Sequence, residues 1–372
     1  MATVLIVQPW FTAIGHPAQS ALNTARVLGV RSDVRYLISD PGNGPFAATA
    51  SEMEQYGSVE RFDSHGDSLR TGTLLSLYAI WRLARDHADL EQILFLDAHL
   101  ATLAAAWPVV AASATRVRRV GAIYLGGPER IASHPVARTL VARFLSAPGR
   151  RLFLRTGELA QAWQAAFPGQ PRNRIDTLPS LEIPGASDVG PPVIAGRPLR
   201  FGVIGQVRPG KGLEWLVPLF EHNADTGTLN IAGAFTNAGH RERLSFLSNY
   251  PNFDNRFLTE REMLAAAGSQ DYLLALYDDW DARMEAATVY LAARVGRPVI
   301  VCDEGWAGRM VREFGCGIVV PGSPRPDANF FRHVPRPGEQ GYQALLDGAA
   351  RFREAHGGLR ARDAFLAKLL EP

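Results

Sequence analysis

Along the first part of the chain, short runs of consecutive apolar residues alternate with longer segments whose apolar positions recur at helical spacing. The runs Thr3–Val7, Val34–Leu37, Ile93–Leu96, Val120–Leu125, Arg151–Leu154 and Arg174–Leu178 predict strands. Between them Ser20–Leu28, Leu69–His87 and Glu158–Phe167 predict helices, with Ser20 as N-cap of the first and Gly29 as its stop. Strands separated by helical segments form βαβ units, and hence a mainly parallel sheet covered on both faces.

The alternation stops at Pro184–Pro198, where four prolines lie among Gly, Ala, Ser and Asp without periodicity, as in a linker. It then restarts with strand Leu199–Ile204, helix Leu213–Glu221, strand Thr228–Ala232 and helices His240–Leu247 and Glu260–Ala267. Strand Tyr272–Leu276, helix Ala282–Val295, strand Pro298–Cys302, helix Ala307–Phe314 and strand Gly317–Val320 complete the series. The tail Tyr342–Leu370 reads as helical. The expected fold is therefore α/β, with two Rossmann-like domains facing a cleft where ligands bind. Their expected limits are 1–190 and 199–345, followed by a helix over 346–372 that crosses back to the first domain.

A length of 372 residues suits two domains. Hydrophobic residues at 47% and charged residues at 20% describe an ordinary globular chain, not a disordered or fibrous one. The formal net charge of +2 makes no global field, so nucleic acid is not an expected partner. The charge is unevenly spread, however. Arg116, Arg118, Arg119, Arg130, Arg138, Arg143, Arg150, Arg151 and Arg155 stand against the single acid Glu129 in that region. This is either a solvated face laced with salt bridges or a patch for anionic lipid headgroups or a diphosphate-linked acceptor.

Both cysteines, Cys302 and Cys316, lie in apolar runs, which fits a reducing compartment rather than a disulfide framework. The first residues carry no basic region and too short an apolar run for a signal peptide. Even the alanine-rich stretch Leu100–Ala112 is too short to span a bilayer and is interrupted by Trp107-Pro108. A cytoplasmic protein is expected, free or peripheral at the inner face of the membrane.

The most informative segment is Phe201-Gly-Val-Ile-Gly205-Gln-Val-Arg208-Pro-Gly-Lys211-Gly212, a strand opening into a glycine-rich turn and then a helix. Glycines let the backbone approach an anion closely, and the helix N-terminus adds partial positive charge. Arg208 and Lys211 flank the turn, so both can reach one diphosphate. The pattern lacks the Gly-Lys-Ser/Thr ending of a P-loop and the Gly-x-Gly-x-x-Gly of dinucleotide sites.

This segment resembles the donor loop of GT-B glycosyltransferases, in particular family 4 and its relatives, through Gly205, Arg208, Lys211 and Gly212. The resemblance continues through Leu229-Asn-Ile-Ala-Gly233, Asp271–Leu276 and Gly296-Arg-Pro-Val-Ile300. It implies a transferase moving a sugar from a nucleoside-diphosphate sugar to an acceptor hydroxyl, with the donor held by the second domain and the acceptor by the first. The implied acceptor is a carbohydrate or lipid-linked one, in bacterial surface, exopolysaccharide or glycolipid synthesis. Glu260, Met284 and Glu285 join the donor-binding candidates, with Asp281–Glu285 expected at a helix N-terminus and Glu285 as a ribose-hydroxyl acceptor. The acidic pair of the family is missing: the corresponding positions hold Arg283 and Leu291. Retention and inversion therefore both stay open.

In the first domain the loop Gln8–Pro17 follows the first strand. Trp10 and Phe11 either stack on an acceptor or turn into the core. His16, Asp97, His99 and Glu129 are catalytic candidates at strand ends, Asp97 and Glu129 being the stronger bases once desolvation raises a carboxylate pKa. The nine histidines are scattered and no Cys-x-x-Cys occurs, so no metal is expected. No cofactor is expected beyond the nucleotide-sugar substrate, because oriented charge can stabilise the leaving diphosphate. The other readings are an epimerase or phosphorylase on the same fold, or a non-catalytic nucleotide-sugar binding module.

Overall fold

The computed structural model describes residues 3–11, 16–63, 68–86, 89–185, 194–278 and 281–371, with the backbone alone at 16, 85 and 86. The chain divides into two compact units: Met1–Leu181 with Ala361–Pro372, and Glu182–Arg360.

The first unit is built on strands β1 (Thr3–Gln8), β2 (Val34–Ser39), β3 (Ser58–Phe62), β4 (Leu90–Phe95), β5 (Arg119–Ile123), β6 (Arg150–Leu154) and β7 (Ile175–Thr177). They form one parallel sheet in the order β3-β2-β1-β4-β5-β6-β7. The intervening helices are α1 (His16–Leu28), α2 (Ala47–Met53), α3 (Leu69–Asp86), α4 (Leu100–Ser113), α5 (Glu129–Ala132), α6 (Pro135–Ser146) and α7 (Gly157–Ala166). Every residue of β1 is buried, with Val7 and the facing Leu94 and Phe95 at 0% exposure. Each such side chain contributes about 1.5–3 kcal/mol by leaving water.

The second unit repeats the scheme with β8 (Arg200–Ile204), β9 (Thr228–Ala232), β10 (Phe253–Asp254), β11 (Tyr272–Ala275), β12 (Val299–Cys302) and β13 (Gly317–Val320), in the order β10-β9-β8-β11-β12-β13. Its helices are α8 (Leu213–Glu221), α9 (Ala238–Arg243), α10 (Glu260–Gly268), α11 (Ala287–Val295), α12 (Gly305–Phe314), α13 (Ala328–His333) and α14 (Gln340–His356). Phe201 anchors the core on one side of this sheet, its ring 5.3 Å from Phe220, 5.7 Å from Tyr272 and 5.3 Å from Phe331. The last helix, α15 (Gly358–Leu370), rejoins the first unit from Ala361, where the Gln92 amide donates to the Leu369 carbonyl at 2.9 Å.

The alternation of strands and helices is therefore that of the sequence, with local corrections. Helix α1 starts at His16, so Ser20 lies inside it and its carbonyl accepts from Thr24 Oγ1. The tail predicted as one helical stretch is two helices. Gly357 breaks it where the backbone comes close to Ile183, leaving only 2.9 Å between a Cβ at 357 and Ile183 Cγ2. The helix expected from Ala282 begins at Ala287, and Asp281–Glu285 is the loop before it. Part of the expected linker, residues 186–193, lies outside the described residues.

Candidate functional site

Each sheet has a point where the strand order reverses, between β1 and β4 in the first unit and between β8 and β11 in the second. In open parallel sheets the loops at such a point diverge and leave a crevice beyond the strand ends.

In the second unit the crevice is bordered by the loop Gly205–Gly212. Gly205, Gly210 and Gly212 all have positive φ, at 106°, 78° and 74°. One flank of the loop is sewn to the β9 turn, with Gly205 N–H donating to Ala232 O and Val207 N–H to Ala234 O. The contact is backbone on backbone, since a Cβ at Gly233 would fall 1.8 Å from Gly205 O. The other flank meets the loop after β11: Asp278 N–H donates to Gly210 O at 2.9 Å, and a Cβ at Gly212 would lie 2.5 Å from Leu276 O. A Cβ on Gly205 itself would meet nothing within 4 Å, so space is open there.

This frame holds two cations side by side. Lys211 is half-buried, and desolvation followed by repulsion from Arg208 lowers its ammonium to about 8. Arg208 donates through Nη1 to the Pro209 carbonyl. Its charge also reaches the Tyr277 phenol, whose pKa is raised chiefly by burial. The Tyr277 hydroxyl is 2.8 Å from Thr288 Oγ1, in the first turn of α11, which brings that helix start beside the basic loop. The N-cap of α11, Ala286, makes no side-chain capping bond; Val289 N–H donates to Ala286 O, and among the described residues no side-chain cap is seen on the N–H groups of Ala287 and Thr288, the kind of helix start that suits an anion.

The remaining donor candidates fare differently. Glu285 is half-buried in the loop before α11, and its Oε1 accepts from Tyr290 Oη at 2.8 Å. The Tyr290 ring stacks on Trp306 at 5.5 Å. Met284 is half-buried in the same loop, its N–H donating to Asp281 O. Asp281 makes a two-point ion pair with Arg283, which holds its carboxyl below the usual range. Glu260, at the start of α10, pairs its carboxylate with the buried Arg294 at 2.9 Å and so ties α10 to α11.

At the reversal point of the first unit, Leu96 N–H donates to Val7 O and the chain continues through Asp97, Ala98 and His99 into α4. Burial pushes the Asp97 carboxyl up to about 6, against the opposing effects of the Ala98 N–H and Arg155. Tyr124, at the end of β5, has its phenol pKa raised by burial first and then by the negative charges of Asp97 and Glu129. Its ring packs edge-on against Trp163 at 5.3 Å. Glu129 is exposed in the first turn of α5. His99 caps α4: its Nδ1 lies 2.7 Å from Thr102 Oγ1, and its own N–H donates to Thr73 Oγ1. Burial and the charges of Arg70 and Arg130 keep its imidazole neutral to lower pH than usual. Asp97, His99, Tyr124 and Glu129 thus share one end of the sheet.

Phe11 is a correction. It is 0% exposed and packs edge-on against Phe46 at 6.5 Å, so it belongs to the core and offers no face to an acceptor. Trp10 remains half-buried, and the side chain of His16 lies outside the described residues. Tyr277, Thr288 and Tyr124 were missed by the sequence reading. Each is a hydroxyl-bearing residue at or near the carboxyl end of an apolar strand or the start of a helix, which is the signal that could have found them.

No protein-family model and no curated protein matches the chain. Solved structures do. HepE of Anabaena, in complex with UDP, matches with a TM-score of 0.69 at 14% identity over 100% of this chain and 99% of its own. The lipopolysaccharide outer core galactosyltransferase WaaB, in its apo form, gives 0.61 at 11% identity over 99% of each chain. The sucrose-phosphate synthase of Thermosynechococcus elongatus gives 0.64 at 13% identity over 99% of this chain and 98% of that one. The fold is GT-B, two Rossmann-like α/β units in one chain.

Proposed function

We propose that the protein is a glycosyltransferase moving a sugar from a nucleoside-diphosphate sugar to an acceptor hydroxyl. The observation that carries this is the Lys211–Arg208 pair on its three-glycine loop, beside the start of α11 at the reversal point of the second sheet. A desolvated ammonium at Lys211, whose main influences are burial and the like charge of Arg208, is costly unless an anion joins it. A diphosphate fits that need in charge and in size. Stabilising the departing diphosphate with charge already in place is the largest catalytic contribution such a site can make. HepE, of the same fold, has been solved with UDP-glucose, which supports a UDP-sugar as donor here.

In the first unit, Asp97 is the group suited to take the acceptor proton, since a carboxyl with a pKa of about 6 is a stronger base than an ordinary one and still ionised at neutral pH. Glu129 is the alternative base. The acceptor we assign is a carbohydrate or lipid-linked one of a bacterial surface or exopolysaccharide pathway. The resemblance to family 4 supports the donor reading through Gly205, Arg208, Lys211 and Gly212, while Arg283 and Leu291 stand where its acidic pair would be. That substitution favours one second reading, a binding module without turnover.

Calorimetric titration with UDP, UMP and inorganic pyrophosphate, followed by donor hydrolysis over a panel of nucleotide sugars, tests both. The transferase reading requires UDP to bind far more tightly than UMP and one donor to turn over. Tight UDP binding with no turnover on any donor selects the binding module, failure of UDP alone to bind removes a UDP-sugar as donor, and failure of UDP and pyrophosphate to bind together with no turnover on any donor of the panel removes both.

A further inference from the structure

The helices α3, α4 and α6 lie side by side over one face of the first unit's sheet, α4 packing against both neighbours. Their outer surface is unusual for a soluble domain. Among the described residues, Leu74 at 53% and Tyr78 at 59% exposure project from α3, Val109 at 72% from α4, and Val136 at 65% from α6. Tyr78 stacks on the half-buried Trp81 at 5.9 Å, so the α3 part is an aromatic pair rather than a lone side chain. Helix α4 carries no charged residue at all along Leu100–Ser113, and Ala105, Pro108 and Ala112 are exposed beside Val109. Solvated helix faces normally bear charge on that side, so four exposed large apolar residues on three adjacent helices call for a partner.

The charges around this surface identify the partner. Arg70 and Arg82 on α3 and Arg138 and Arg143 on α6 are exposed, and none of the four enters an ion pair among the described residues. On α3, α4 and α6 the one acid in the sequence is Asp86, the last residue of α3, whose side chain lies outside the described residues, and Glu129 is exposed in the neighbouring α5. An apolar centre with an amphipathic aromatic pair and an arginine fringe matches the boundary of an anionic bilayer, where apolar groups enter the acyl region and guanidinium groups meet phosphate. A protein partner would normally be met by charges of both signs at the rim. No helix of the described residues is long and apolar enough to cross a membrane, so the contact is one of lying on the surface.

We propose that the α3–α4–α6 face docks the protein flat onto an anionic lipid surface, with Tyr78, Trp81 and Val109 entering the interface and Arg70, Arg82, Arg138 and Arg143 reading its charge. This deepens the lipid-linked acceptor of the proposed function, yet its test is independent of it, because vesicle binding is read without donor or acceptor. The full chain is sedimented with vesicles of phosphatidylcholine alone and with vesicles containing phosphatidylglycerol, over a salt series. Two double variants, Tyr78→Ser with Val109→Asp and Arg138→Glu with Arg143→Glu, are compared after their unfolding transitions and UDP affinity are checked.

The expected result is binding to the anionic vesicles only, declining with salt. Neutralising two such arginines weakens partitioning on the order of thirty-fold, and reversing their charge weakens it more. Loss of binding in the apolar variant at unchanged UDP affinity supports insertion. The proposal is overturned if wild type ignores anionic vesicles, or if both variants bind like wild type. It is also overturned if light scattering shows a dimer that Val109→Asp dissociates, since the face would then be covered by a second copy.

Discussion

The two reversal points of this molecule are built alike, and the desolvated group leading each has the opposite charge. In the second unit the loops beyond β8 and β11 present Lys211 and Arg208, and in the first the loops beyond β4 and β5 present Asp97 with Glu129 nearby. Burial moves both leading groups toward neutrality, the ammonium down to about 8 and the carboxyl up to about 6. In the proposed function the same desolvation suits the Lys211 end to receive negative charge and the Asp97 end to receive a proton. The difference teaches that a shared fold sets where a site lies, while the sign of the desolvated group sets what it can do there.

The largest expected effect is at the carboxylate. Asp97→Asn keeps the shape and removes the base, and the rate of sugar transfer should fall by about 10²–10⁴-fold with UDP affinity intact. Below about 6 Asp97 takes up a proton and stops acting as a base, so wild-type transfer should rise with pH through that value, and the Asn variant should lose that rise. Glu129→Gln in parallel, with the anomeric configuration of the product, decides between the two acids. A near-active Asp97→Asn with a silent Glu129→Gln would transfer the role to Glu129.

At the cationic end, Lys211→Ala should weaken UDP binding and slow transfer by roughly 10²–10³-fold, the scale of losing one preorganised charge contact. A second measurement sharpens the comparison. Binding a diphosphate raises the Lys211 pKa from about 8, so at pH near 8 the complex takes up protons that the free protein lacked. Calorimetry in buffers of differing ionisation enthalpy should report this uptake, and Lys211→Ala should abolish it. Proton-neutral binding in wild type would show that the anion sits elsewhere.

The comparison also explains which parts of the molecule were legible in the sequence. Buried strands such as Val4–Val7 and Val299–Cys302 are continuous apolar runs because helices cover both faces of a parallel sheet, so they were visible. β3 was not, because it is an edge strand in which only Phe62 is buried, and Glu60 and Arg61 interrupt the apolar signal. Helix α4 was hidden by its own composition, an alanine-rich stretch without a polar face and with Pro108 inside it. α6 was missed although Pro135 marks its first position. At the site, the Gly205–Gly212 loop was readable because positive φ demands glycine at fixed positions. The contacts of Phe11, Glu260 and the tyrosines were not, since whether a side chain turns inward, finds Arg294 or meets Thr288 depends on residues distant in sequence.

The smallest effect tests whether both desolvated charges are held at a cost to stability, as sites shaped for ligands tend to be. For Asp97 the native pKa of about 6 exceeds the ordinary 3.8, so the folded state binds the proton more readily than the unfolded chain. The cost is then full above about 6 and is relieved as pH falls from there toward 3.8. For Lys211 the native value of about 8 lies below 10.5, so the cost is full below about 8 and is relieved as pH rises toward 10.5. At neutral pH both penalties are present. Asp97→Asn and Lys211→Met, each measured without ligand, should therefore raise stability by about 1–2 kcal/mol, discounted from the pKa displacement for partial solvent access. In thermal unfolding this is a rise of roughly 2–8 °C. The gain should vanish toward pH 4 for the Asn variant and toward pH 10 for the Met variant, and saturating UDP should reverse the ranking of Lys211→Met against wild type, because the bound anion stabilises only the charged lysine. A Met variant that stays the more stable protein in saturating UDP would separate Lys211 from the diphosphate, whatever its effect on rate.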